Sequence, residues 1–225
     1  MTGFDISFVC VQDPRLFNGQ PLRAPGYECI SLNANKVRVC TYVSLKLLLD
    51  ISFVVVSSNQ DILYLRIFVE EGSLLGNHRS LGIINTYNRP AEGGHRVTAK
   101  SLFTESNKPT LVVGDLNVHT AYTDPMRNLE PGERRRGEHY MRLAALRGYN
   151  IINTPGIYMR FADNPTLHRP SVIDYALANK SLLTKVSKWK DVYQRSGSDH
   201  IIIVTELDSE GVTLARASPD WEKIR

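Results

Sequence analysis

Two short polar motifs, about eighty residues apart, lie where apolar runs end or begin. Gly114-Asp115-Leu116-Asn117 follows Leu111-Val112-Val113, and Ser198-Asp199-His200 precedes Ile201-Ile202-Ile203-Val204. Each puts acid, amide or imidazole groups at the tip of a strand whose remainder belongs in a core. A carboxylate there can take a proton from water or bind a divalent cation. An amide can orient that water or donate to a phosphate, and an imidazole can hold a phosphoryl oxygen or move a proton. With the two-residue period of a strand, Asp115 and Asn117 point the same way. Two structural readings stand beside these: an Asx-turn at Asp115, and a polar cap on a buried strand at Ser198-Asp199-His200.

Three more positions carry candidate chemistry. Asp174 interrupts the apolar run Ser171-Val172-Ile173-Asp174-Tyr175. A buried carboxylate is costly without a partner, and a histidine held in one tautomer is the natural one; His200 is the expected partner, and a solvated strand face is the alternative. Tyr87 ends an apolar strand before Asn88-Arg89-Pro90, so its hydroxyl can reach a phosphate oxygen or pack in a core. Asp13, after Val9-Cys10-Val11-Gln12, is a candidate metal ligand or the start of an Asp-Pro turn. The run Arg134-Arg135-Arg136 reads as a loop, solvated or touching a phosphate backbone. His119, two residues past Asn117, can line the same site; His78, His95, His139 and His168 lack zinc-ligand spacing.

These residues must be placed by many short strands. Runs rich in Val, Ile and Tyr between Gly, Pro and Asn predict strands over 27–32, 37–43, 51–57, 62–69, 82–87, 111–113, 151–153, 171–176 and 201–207. Residues 36–88 read as an antiparallel meander. Helices are predicted over about 94–106 and about 135–147, the second stopping at Gly148. The implied class is α+β, two packed sheets flanked by helices. At 225 residues and 42% apolar content the chain suits one core. Residues 1–207 are read as the domain and 208–225 as a polar tail. The net charge of +4 leans mildly toward polyanionic partners. Cys10, Cys29 and Cys40 form neither a CxxC pair nor an even set, which points to a reducing compartment. The N-terminus lacks a basic region and carries Asp5, unlike a signal peptide, and the apolar stretch 45–56 is too short to span a bilayer. An intracellular location, nuclear or cytoplasmic, without membrane attachment, is expected.

The order of these motifs resembles the endonuclease/exonuclease/phosphatase family: an acid after an N-terminal apolar run, a Tyr before a Pro loop, GDLN, IDY, then SDH. The texture of VQDPRL, GDLNVHT, LRGYNIINTPG, RPSVIDYALAN and GSDHIIIV is similar to the endonuclease domain of non-LTR retrotransposons. The resemblance covers nearly the whole chain. It implies a four-layer α/β/β/α, DNase I-like sandwich with its site at one edge, and Mg²⁺-dependent phosphodiester cleavage, with Mn²⁺ as the alternative ion. Carried over, Asp13 and Asp199 take the places of metal ligands. Asp115 would activate water, Asn117 would hold the phosphate or that water, and Tyr87 would contact the phosphate. His200 would bind the phosphoryl oxygen or transfer a proton, oriented by Asp174. DNA is the implied substrate, and PDWEKIR falls about where such a domain gives way to a reverse transcriptase.

Two departures accompany the likeness. Asp13 stands where the family usually has Glu. The family also begins with a strand ending in Asn, well before the Gln-acid motif; here Gln12 comes eleven residues after Met1, so that strand is expected to be missing and a neighbour left unpaired. Three readings remain open: an endonuclease that nicks target DNA in retrotransposition, a catalytically impaired relic that binds nucleic acid, and a phosphatase or phosphodiesterase of the same superfamily.

Overall fold

The computed structural model describes residues 6–32, 36–69, 78–91, 94–95, 97–104, 107–161, 170–192 and 198–208. In chain order the strands are β1 (Phe8–Gln12), β2 (Leu16–Phe17), β3 (Gln20–Pro21), β4 (Tyr27–Ser31), β5 (Val39–Ser44), β6 (Ile51–Ser58), β7 (Ile62–Val69), β8 (Ser80–Tyr87), β9 (Pro90–Ala91), β10 (Gly94–His95), β11 (Thr110–Asp115), β12 (Tyr149–Ile151), β13 (Asp174–Asn179), β14 (Val186–Val192) and β15 (Ile202–Leu207). The α-helices are α1 (Ala99–Leu102), α2 (Pro131–Leu146) and α3 (Lys180–Leu183).

The main sheet has six strands in the order β12-β13-β11-β8-β7-β6. Within it only β11 and β8 run parallel; every other neighbouring pair is antiparallel. One face packs on α1 and α2 through a core that includes Val112, Leu116, Tyr140, Ala144 and Leu177. The opposite face meets a second layer. There Phe8 and Cys10 of β1 and Leu207 of β15 pack on Ile83, Leu111 and Ala178. This is the α+β sandwich that the strand pattern predicts.

The second layer is not continuous. It consists of a three-stranded sheet, β1-β5-β4, and a two-stranded sheet, β14-β15. Among the described residues β1 pairs only with β5 and β15 only with β14. Both strands are half-buried along their length. Val113, on the central strand β11, is half-buried too, whereas its neighbour Val112 on the helix-packed face is fully buried. Asn85 of β8 ties the layers together. Its Nδ2 donates to the Cys40 carbonyl at 2.8 Å and the Val11 carbonyl at 3.3 Å, and Gln12 Nε2 donates to its Oδ1 at 2.6 Å.

Several elements differ from the sequence-based expectation. The meander is β6-β7-β8, and β5 belongs to the other layer. The helix expected over 94–106 is the single turn α1, capped by Thr98, and β10 takes up Gly94–His95. The second helix begins four residues earlier, at Pro131, because Glu130 and Glu133 form a reciprocal capping box ahead of it. That helix absorbs Arg134-Arg135-Arg136, so the basic run lies on α2 and not in a loop. The strand read at 171–176 runs from Asp174 to Asn179. β14 has no counterpart among the predicted strands, because its alternating Lys and Trp carry no buried run. His168 and all of the tail except Asp208 lie outside the described residues. No described helix is long and apolar enough to cross a membrane.

Candidate active site

Asp115 is delivered by β11, whose last residue pairs with Asp174 on one side and Tyr87 on the other. That register brings three of the sequence candidates to one sheet edge. Gly114 makes it possible. Its φ is +141°, and an added Cβ would lie 1.9 Å from the Thr86 carbonyl oxygen, so no side chain fits. After Asp115 the chain turns through Asn117, at φ +49°, where Asn117 N–H donates to Asp115 Oδ1 at 2.8 Å. The Asx-turn alternative and the site are thus one structure. Asn88 secures the turn from behind: its Nδ2 donates to the Leu116 carbonyl and the Tyr140 hydroxyl, each at 2.9 Å.

Asp174 is buried, and Oδ2 lies 2.8 Å from His200 Nδ1. Its position is fixed by Asn153, a residue that sequence reasoning passes over. Asn153 Nδ2 donates to the Asp174 carbonyl at 2.8 Å and its Oδ1 accepts from Ala176 N–H at 2.8 Å. Ligand atoms of Asp115, Asp174 and His200 all lie within 4.8 Å of one another.

His200 reaches this cluster through a small non-local ladder. Arg160 bridges to Ser171 on one side and His200 on the other. Phe161 N–H donates to the Asp199 carbonyl and Ile201 N–H to the Met159 carbonyl, both at 2.7 Å. The same ladder places Arg160 Nε 2.9 Å from Asp199 Oδ2. Arg160 is therefore part of the site. The sequence offers only a weak signal for it, a cation eleven residues before Ser171, and that spacing carries no periodicity.

Burial and charge set the protonation of these groups. Burial, then the neighbouring charge of Asp174, pushes the Asp115 carboxyl up from 3.8 to about 7. For His200, burial acts to lower the pKa, but the hydrogen bond and charge of Asp174 outweigh it and the net direction is up. For Asp199, burial acts upward, but the Arg160 hydrogen bond together with the charges of His200 and Arg160 outweighs it, and the carboxyl is held below its usual range.

The other candidates lie around this centre. Tyr87 is half-buried, and its hydroxyl pKa is raised by burial and then by the charges of Asp13 and Asp115. Asp13 is exposed, at φ +46°, and Oδ1 pairs with Arg38 at 3.3 Å. It is not in the Asp115–Asp174–His200 cluster. His119 turns toward α2, with Nε2 4.0 Å from Glu133 Oε1, and burial followed by the charge of Arg127 lowers its pKa to about 4.

The donors suit a hard divalent cation. Asp115 and Asp174 offer carboxylate oxygens, and no described cysteine belongs to the cluster; Asp199, paired with Arg160, stands beside the group and not within it.

A family model described as "Endonuclease-reverse transcriptase" matches residues 81–204, more than half of the chain. The chain belongs to the endonuclease/exonuclease/phosphatase superfamily. The matched span contains every candidate described above except Asp13. Solved structures share the fold. The endonuclease domain of TRAS1, a telomere-specific non-LTR retrotransposon, aligns with TM-score 0.66 at 13% identity, over 89% of this chain and 85% of that one. The catalytic domain of Xenopus laevis APE2 gives 0.67 at 12% identity, over 91% and 84%. The AP endonuclease LMAP from Leishmania major gives 0.65 at 13%, over 88% and 77%. No curated protein matches.

Proposed function

We propose that this protein is a divalent-metal-dependent endonuclease that hydrolyses DNA phosphodiester bonds, nicking target DNA on behalf of a retrotransposon. The observation that carries this reading is the convergence of Asp115, Asp174 and His200 within 4.8 Å, at the ends of β11 and β13 and just ahead of β15. Asp115, with a pKa near neutrality, is suited to take a proton from an attacking water. Asn117 would hold the phosphate or that water. His200, kept cationic more readily by Asp174, would donate to a phosphoryl oxygen as charge builds there. Tyr87 would touch the phosphate from the other side. Asp199, with Asp13 farther out, would hold Mg²⁺ or Mn²⁺, which supplies charge neutralisation at the phosphoryl group. The related retrotransposon fold and the family description support DNA as substrate and a reverse transcriptase as partner.

The test is nicking of supercoiled plasmid in Mg²⁺ and in EDTA, with Asp199→Ala as control. Nicking by the wild type that is lost in EDTA and falls at least about a hundredfold in the variant is expected. Equal activity of the two proteins would refute the reading.

One observation favours a second reading, a relic that binds nucleic acid without turnover. Asp13 is exposed and engaged by Arg38. On that reading neither protein nicks, and both bind DNA comparably. Nicking of the plasmid by the wild type in Mg²⁺ would rule it out.

A further inference from the structure

Arg160 is the cation that the structure places against Asp199, beside the Asp115–Asp174–His200 cluster. Its Nε donates to Asp199 at 2.9 Å, and the charges of Asp115 and Asp174 also act on it. Its side chain is 41% exposed, against 10% for Asp174, so the guanidinium lies nearer the solvent, level with Asp199, and Asp115 and Asp174 lie deeper. The fork keeps two amino groups, Nη1 and Nη2, beyond the Nε–H used on Asp199, and among the described residues neither has a hydrogen-bond partner. Of the other basic groups nearby, Arg38 is engaged by Asp13, and His119, pushed toward its neutral form by burial, turns to Glu133 of α2.

We infer that Arg160 is a phosphate contact: Asp199 fixes the guanidinium through Nε, and Nη1 and Nη2 grip a non-bridging oxygen of the DNA backbone. The inference rests on the reading of the site as one that takes a phosphodiester. Three carboxylates gathered at one sheet edge repel a polyanion, and a guanidinium at the entrance offsets this with directed donors. The ladder through Ser171 and His200 holds the Arg160 backbone, so little ordering accompanies contact. No covalent step is involved.

The experiment measures binding of a short fluorescein-labelled DNA duplex by anisotropy in EDTA, across a salt series. Arg160→Ala is expected to weaken metal-free binding about tenfold and to flatten the salt dependence by about 0.9 in logarithmic slope, one phosphate contact. Arg160→Lys, which keeps the charge without the fork, is expected to recover part of the affinity. Asp199→Ala removes a negative charge and releases Arg160, so it is expected to tighten binding. If Arg160 acted only as a charge beside Asp199, Arg160→Lys would bind as the wild type does, and that result overturns the inference. So does wild-type affinity in Arg160→Ala with unchanged circular dichroism, or no metal-free binding by the wild type. Failure of plasmid nicking with these binding differences intact would count against the endonuclease reading alone.

Discussion

Asp115→Asn is expected to stabilise the metal-free protein, and more so as pH rises. Asp115 is 5% exposed, and its carboxyl is raised from 3.8 to about 7 by burial and then by Asp174. Below pH 3.8 the folded and unfolded chains both carry the proton, and the group is neutral toward stability. Between about 4 and about 7 the unfolded chain ionises while the fold retains its proton, so the penalty grows with pH. Above about 7 it is complete. At roughly 1.4 kcal/mol per pH unit, the full penalty is about 4 kcal/mol, of which roughly a third is present at about pH 5. Asparagine keeps an oxygen to accept the Asn117 N–H and carries no charge. The variant's advantage should therefore grow by about 2–3 kcal/mol from about pH 5 to about pH 8, which is roughly 5–10 °C in a domain of this size. Thermal unfolding of both proteins at the two pH values in EDTA measures it. An advantage that stays flat or shrinks with rising pH would refute the assignment of Asp115 as a buried acid under strain from Asp174.

Three other outcomes are expected. Asp174→Asn should lower the His200 pKa, since the carboxylate that raises it is gone; the imidazole NMR shift followed through a pH titration reads this directly. Gly114→Ala should cost about 3 kcal/mol or more in denaturant unfolding, because its Cβ would lie 1.9 Å from the Thr86 carbonyl oxygen. Asn85→Ala should cost about 2–3 kcal/mol by the same measurement, because it leaves the buried Cys40 carbonyl without its side-chain donor and removes the acceptor for Gln12.

Much of this architecture is legible in the chain because local pattern and global role agree. Leu111-Val112-Val113 has to be a core strand, so Asp115 has to emerge at its end. The pairing of Asp174 with His200 is legible because an acid inside Val172-Ile173-Asp174-Tyr175 needs a partner. What escapes depends on contacts between distant segments. Arg160 gains its place only through bridges to Ser171 and His200. Asn153 and Asn85 look like ordinary strand-end amides until the groups they satisfy, on β13 and on the second layer, are known. The helix expected over 94–106 is longer than α1 because Thr98 caps the turn at Ala99 and Phe103 leaves helical geometry well ahead of the Asn107-Lys108-Pro109 break.

The break in the second layer has a mechanical consequence. Gln12 and Asp13 ride at the end of β1, and Asp199 and His200 ride at the entry to β15, yet among the described residues no strand-to-strand hydrogen bonds join those two pieces. The β1 piece is moored to the six-stranded sheet by side-chain packing and the Asn85 hydrogen bonds, and the entry to β15 by packing and the His200–Asp174 contact, which yield to sliding more readily than a ladder of backbone bonds does. Asp115 and Asp174 share one such ladder and are stiffly coupled. The side of the site that carries Asp13 is therefore the more compliant one: Asp13 is paired with Arg38, whereas Asp199 adjoins the His200 that is hydrogen-bonded to Asp174.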